Sequence, residues 1–135
     1  MGSNHGCSAE AITNSTVIVT KRSTIISQAN RDPHLAQQIL MLMSLELQRV
    51  QSHMLVLIKK AQERMVTFLL EMAEHTEDND IYLPMSRQYI ADYLGLTIET
   101  VSRTLTQLEN EATIALPSTR RVVLRDRQAL NRLTA

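Results

Sequence analysis

The sequence predicts a mainly α fold: a long helix, then a winged helix-turn-helix domain with a small β-wing, all preceded by a short strand pair. Three observations carry this. A long apolar-patterned stretch without Gly or Pro follows Asp32-Pro33. Two helical segments at residues 86–110 meet at Gly95. Two β-branched runs flank a basic turn at residues 117–121.

Taken in order, Ser8-Ala9-Glu10-Ala11-Ile12 and Thr16-Val17-Ile18-Val19-Thr20 read as two short strands around Thr13-Asn14-Ser15. A strand pair alone is marginally stable, so this piece should be loosely held or pack on the long helix behind it. Pro33 suits the first helical position and opens the long helix. Ile39, Met43, Leu47, Val50, Met54 and Leu57 form a stripe at spacings of four and three. Between residues 39 and 47 nearly every face is apolar, as in a helix buried on two sides. So short a chain offers little to cover both, so the stripe is expected to meet its own copy in a parallel two-fold dimer. A second amphipathic segment begins at Lys59-Lys60, with Ala61, Met65, Phe68, Leu69 and Met72 on one face. One bent helix or two separate ones would both satisfy this stretch. Residues 74–80 form an acidic loop, and Ile81-Tyr82-Leu83-Pro84 is extended because residues before proline avoid helix.

The helix-turn-helix is the most specific signal. Ser86-Arg87-Gln88-Tyr89-Ile90-Ala91-Asp92-Tyr93 supplies a first helix, with small Ala91 where two helices approach closely. Gly95 follows four residues later, where the turn needs a positive φ. Val101 lies ten residues after Ala91, as a wedge between the helices. Thr97 is a good N-cap, so the second helix should run from Ile98 to about Glu111. Val101, Leu105 and Leu108 share its buried face. Ile98, Glu99, Ser102 and Arg103 then project outward from the end that enters a major groove. Arg103 can donate two parallel bonds to guanine, and Glu99 can accept from cytosine. The same two residues form a common surface ion pair, and both roles can hold at once. Thr113-Ile114-Ala115-Leu116 and Val122-Val123-Leu124 flank Pro117-Ser118-Thr119-Arg120-Arg121 as a β-hairpin wing. Its Arg120 and Arg121 either touch phosphates or form a solvated turn. Residues 126–133 should close the chain as a short helix.

These residues resemble the CRP/FNR regulators: Leu83-Pro84-Met85-Ser86-Arg87-Gln88, then Ile90-Ala91-Asp92-Tyr93-Leu94-Gly95-Leu96-Thr97, then Glu99-Thr100-Val101-Ser102-Arg103. They look most like the FNR and FixK branch. The cyclic-AMP-binding branch typically carries arginine immediately before the glutamate, where this chain has Ile98. The resemblance begins near His5 and covers nearly the whole chain. It implies a palindromic site with TTGA-type half-sites, read by Glu99, Ser102 and Arg103. It implies an activator of nitrogen-fixation type that contacts RNA polymerase. It also implies that the N-terminal strands are the end of a β-roll sensor. Two positions depart from the pattern. Tyr89 stands where an acid is common, and Ala112 stands where a glycine commonly ends the recognition helix. The corresponding division is a sensor remnant and connector at 1–30, a dimerisation helix at 31–58, and a winged helix at 59–135 with its helix-turn-helix at 86–110.

The expected partners are therefore double-stranded DNA and a second copy of the chain. Backbone contacts are expected from Ser86, Arg87, Thr97, Thr100, Arg120 and Arg121, although Ser86 and Thr97 are also helix caps. Composition agrees with a small regulator. Net charge is zero, yet residues 1–80 hold seven Lys/Arg against nine Asp/Glu, and residues 81–135 hold seven, all arginine, against five. Arginine suits bidentate phosphate and guanine contacts. With one Phe, three Tyr and no Trp, the core must be aliphatic and Met-rich. No apolar run reaches the roughly 18 residues that span a bilayer, and the N-terminus lacks a secretory pattern, so a cytoplasmic location is expected. Met1-Gly2-Ser3 looks like an expression remnant.

Other chemistry is thin. Cys7 is the single cysteine, which excludes a disulfide framework and the four-cysteine iron–sulfur sensing of part of the family. His5, His34, His53 and His75 show no metal-ligand spacing, and His53 is expected at the dimer seam as a satisfied core histidine. No cofactor is expected. No catalytic constellation can be assembled, so an enzyme is disfavoured. The remaining alternative is a winged helix that docks protein without binding DNA. Such modules usually lack an outward arginine like Arg103.

Overall fold

The computed structural model describes residues 8–74, 76 and 79–134. Cys7, His5, His75 and the Met1-Gly2-Ser3 start lie outside them. The chain divides into two compact units between Met41 and Leu42.

In the first unit, residues 8–21 contain no strand. This corrects the expected strand pair, and the reason is physical. Val17, Ile18 and Val19 are 77%, 93% and 90% exposed, and no strand pairs with them among the described residues. Two short strands without a third, or a packed face, do not hold. The connector instead forms α1 (Arg22–Ala29), an unanticipated helix. Its Ile25 and Ile26 are adjacent, so they carry no helical period. Next, α2 (Pro33–Leu57) starts at the expected proline. Asp32 caps it, its carboxylate accepting from the backbone N–H of His34 at 2.9 Å and Leu35 at 3.3 Å.

In the second unit α2 runs from Leu42 to Leu57 and stops; residues 58–60 separate it from α3 (Ala61–Glu74). There are thus two helices, not one bent one. The order then runs β1 (Asp80–Tyr82), α4 (Arg87–Leu94), α5 (Ile98–Asn110), β2 (Ile114–Ser118), β3 (Arg121–Leu124) and α6 (Arg127–Thr134). The three strands form one antiparallel sheet in the order β1-β3-β2, with Ile81 opposite Val122 and Ala115 opposite Val123. The extended piece before Pro84 is therefore a third strand of the wing sheet. Pro117 lies on the edge strand β2, at a register irregularity between Ala115 and Ser118, where a missing N–H costs nothing.

The aliphatic core follows from the periodicity. Met65 and Leu69 of α3, Ile90 and Leu94 of α4, and Val101, Leu105 and Leu108 of α5 are fully buried. Ile81, Ile114 and Leu130 extend the same cluster to the sheet and α6. This core fixes α5 so that its opposite face is presented to solvent. Among the described residues, no helix is long and apolar enough to cross a membrane.

Candidate DNA-binding surface

Each end of the helix-turn-helix is built by a recognisable device. The Ser86 hydroxyl accepts from the Tyr89 N–H at 3.3 Å and starts α4. Gly95 then adopts φ 60°, while the N–H of Leu96 reaches the Ala91 carbonyl at 2.8 Å. This left-handed exit satisfies carbonyls that a helix end otherwise leaves open. Two residues on, the Thr97 hydroxyl accepts from the Thr100 N–H at 3.1 Å and starts α5. The two hydroxyls of Thr97 and Thr100 also bond at 2.9 Å. The far end of α5 repeats the exit of α4, with the Thr113 N–H on the Leu108 carbonyl at 3.1 Å. Here the left-handed position, φ 56°, is occupied by Ala112 and not by glycine.

With the inner face of α5 buried, Glu99, Ser102 and Arg103 are exposed together near its N-terminal end. Arg103 Nη2 donates to Glu99 Oε1 at 2.5 Å. The pair's side chains are 78% and 68% exposed, so the interaction is weak, at about 0.3–0.5 kcal/mol for an i,i+4 helix pair. It orients the guanidinium without committing it. Ile98, 47% exposed, is an apolar side chain open to solvent at the helix start. Thr106, Gln107 and Asn110 continue the groove along the same side as Ser102 and Arg103.

The arginines of α4 and the wing are in different states. Arg87, at the start of α4, is half-buried and has no acidic partner among the described residues. Burial alone pushes its guanidinium below the usual pKa. Arg120, in the wing turn, is exposed and also lacks an ion-pair partner among the described residues. Arg121 is engaged: its Nε donates to both carboxylate oxygens of Asp80, at 2.8 and 3.0 Å, and its Nη2 also bonds Asp80. That bond holds the Asp80 carboxyl below the usual carboxylate range. Nothing in residues 74–80 singled out Asp80 for this; the signal was the cross-strand register, visible only once β1 pairs with β3.

Along α2, Met43, Leu47, Val50 and Met54 are exposed, at 65%, 59%, 43% and 62%. Ile39 and Leu57 are half-buried. Leu57 is turned toward its own chain, since a Cβ built at Gly95 would lie 3.6 Å from Leu57 Cδ2. His53 stacks against Tyr93 of α4, with ring centroids 4.2 Å apart, so its ring faces the helix-turn-helix of its own chain. Sequence reasoning missed Arg64, which donates to the carbonyls of Lys59, Leu94 and Gly95. Among the described residues, no cluster of three or more His, Cys, Asp or Glu could hold a metal ion.

Comparison with known proteins agrees with this geometry. Residues 63–133 match the Crp-like helix-turn-helix domain. The nitrogen fixation regulation protein FixK of Azorhizobium caulinodans is 50% identical over 98% of this chain and 56% of its own length. FixK of Rhizobium meliloti is 40% identical over 98% of this chain and 60% of its own. The chain thus spans little more than half the length of these curated relatives. Among solved structures, FixK2 from Bradyrhizobium japonicum superposes with a TM-score of 0.78 at 43% identity, covering 86% of this chain and 60% of that one.

Proposed function

The chain belongs to the CRP/FNR family, on its FixK-like side, and on that premise we propose that it binds DNA sequence-specifically as a homodimeric transcriptional regulator. The target is a palindrome of TTGA-type half-sites, with α5 of each copy in a major groove. One observation carries the reading: Glu99 and Arg103 form a solvent-facing pair near the N-terminal end of α5, directly opposite a fully buried face. Arg103 leaves that weak pair to donate to guanine O6 and N7, while Glu99 is released to accept from cytosine N4. Ser102, between them on the same face, adds a hydroxyl.

Phosphate contacts come from Ser86 and Arg87 at the start of α4, Thr97 and Thr100 at the start of α5, and Arg120 in the wing turn. Arg121 contributes mainly by tethering the wing through Asp80. The dimer forms through α2, where Met43, Leu47, Val50 and Met54 expose an apolar stripe that Ile39 continues by spacing. Two-fold symmetry then sets the recognition helices about 34 Å apart, one turn of DNA. Residues 31–58 act as the dimerisation segment and 59–135 as the DNA-binding domain, and a contact with RNA polymerase in the cytoplasm couples binding to transcription.

Fluorescence anisotropy with a labelled TTGA palindrome and a scrambled duplex, at increasing salt, tests the reading. The expected result is tighter binding to the palindrome, with affinity falling steeply as salt rises. A chain that binds neither duplex at low salt overturns it in favour of a protein-docking winged helix.

A further inference from the structure

Arg64 joins three carbonyls that belong to two different parts of the second unit. Its Nε donates to the Lys59 carbonyl, in the break between α2 and α3, at 2.8 Å. Its Nη1 donates to the Leu94 carbonyl at 3.0 Å and the Gly95 carbonyl at 3.3 Å, at the end of α4. The last carbonyls of a helix lack intrahelical partners and carry the negative end of its dipole, so a cation is favoured there. A guanidinium is a planar fork, so fixing one nitrogen fixes the direction of the other. One side chain therefore ties the end of α2 to the turn of the helix-turn-helix. The Lys59 Nζ adds a bond to the Thr134 carbonyl of α6 at 3.0 Å, fastening the same break to the other side of the domain. Leu57 beside Gly95 and His53 on Tyr93 complete the junction.

We infer that Arg64 is a positioning residue that sets the spacing and rotation of the two half-sites the protein accepts. The inference rests on the proposed α2 dimer on DNA. In that dimer, the two-fold axis runs between the two copies of α2, and each recognition helix is held relative to the axis through this junction. Arg64 touches no base, and a single half-site is read without its help.

The test uses palindromes with the natural spacer and with one base pair added, which rotates and displaces one half-site by about a tenth of a turn. Wild type should bind the altered spacer at least about tenfold more weakly, and Arg64→Gln and Arg64→Lys should each bind the two within about threefold, since neither can bridge both elements. All three proteins should bind an isolated half-site alike. A DNA-free arm places spin labels at Ser52 and Asn110 in a Cys7→Ser background, diluted into unlabelled protein. The distance distribution should be narrow in wild type and broad in both variants. Variants that keep the wild-type spacing preference or the narrow distribution overturn the positioning role. If wild type binds no duplex, the DNA reading and the spacing claim fail together, and the distance arm alone then decides the clamp.

Discussion

Ala112 holds a left-handed backbone conformation at φ 56°, in the position where helix exits favour glycine. An L side chain there costs about 1–2 kcal/mol. Ala112→Gly should therefore stabilise the protein by about 1 kcal/mol, less than the full strain because glycine also loses more entropy on folding. Thermal unfolding followed by circular dichroism checks this, and an unchanged or lower midpoint would contradict it. Gly95→Ala is the mirror test. A Cβ there meets Arg64 and Leu57 at ordinary contact distances of 3.5 and 3.6 Å, so the cost is that of the backbone, about 1–2 kcal/mol. Ser86, Gly95, Thr97 and the buried face of α5 were legible as residues because caps, turns and helical period are local properties. Ala112 was visible only as a departure from a family pattern, and its strain needed a backbone angle. Arg64 was not legible, because nothing in a sequence says which carbonyls a half-buried arginine reaches 30 residues away.

At the scale of elements, the wing is fastened by the Arg121–Asp80 bond between β3 and β1. The folded state holds the Asp80 carboxyl below its usual range through that bond. A depressed acid contributes stability that is present above its unfolded pKa, about 3.9, and is lost as pH falls through the lower folded value. The stability difference between wild type and Asp80→Asn should therefore be constant near neutrality and shrink as pH drops below about 4. Urea unfolding across that range checks the sign; a difference that grows toward acid would contradict it. Arg120 has no ion-pair partner among the described residues, so Arg120→Ala should weaken binding evenly across sequences and lower the salt slope by about one. The hairpin itself was legible from two β-branched runs around a turn. Its third strand was not, since three residues before a proline resemble any extended linker until the register is known. The misread pair at residues 8–20 shows the converse. Local β preference at Val17, Ile18 and Val19 was real, but strands need a neighbour, and none pairs with them among the described residues.

At the scale of the whole molecule, the proposed function requires two copies that present α5 in register with DNA. Leu47→Glu and Met54→Glu would each bury a charge in the α2 stripe, which is exposed in one chain. Sedimentation velocity at micromolar concentration should show a dimer for wild type and a monomer for both variants, with palindrome affinity lost in parallel; variants that remain dimeric would exclude the stripe as the interface. The apolar periodicity of α2 was readable because helical spacing is a local property, whereas the turning of His53 and Leu57 to their own helix-turn-helix required the packed structure. The central claim is that Arg103 reads guanine from the free face of α5. It is tested most directly by a double-mutant cycle: wild type and Arg103→Ala, each titrated against the TTGA palindrome and against one with adenine replacing guanine in both half-sites. Wild type should lose about 1–3 kcal/mol per altered base pair, and Arg103→Ala should bind both duplexes alike. An alanine variant that keeps the wild-type preference for guanine would contradict the account.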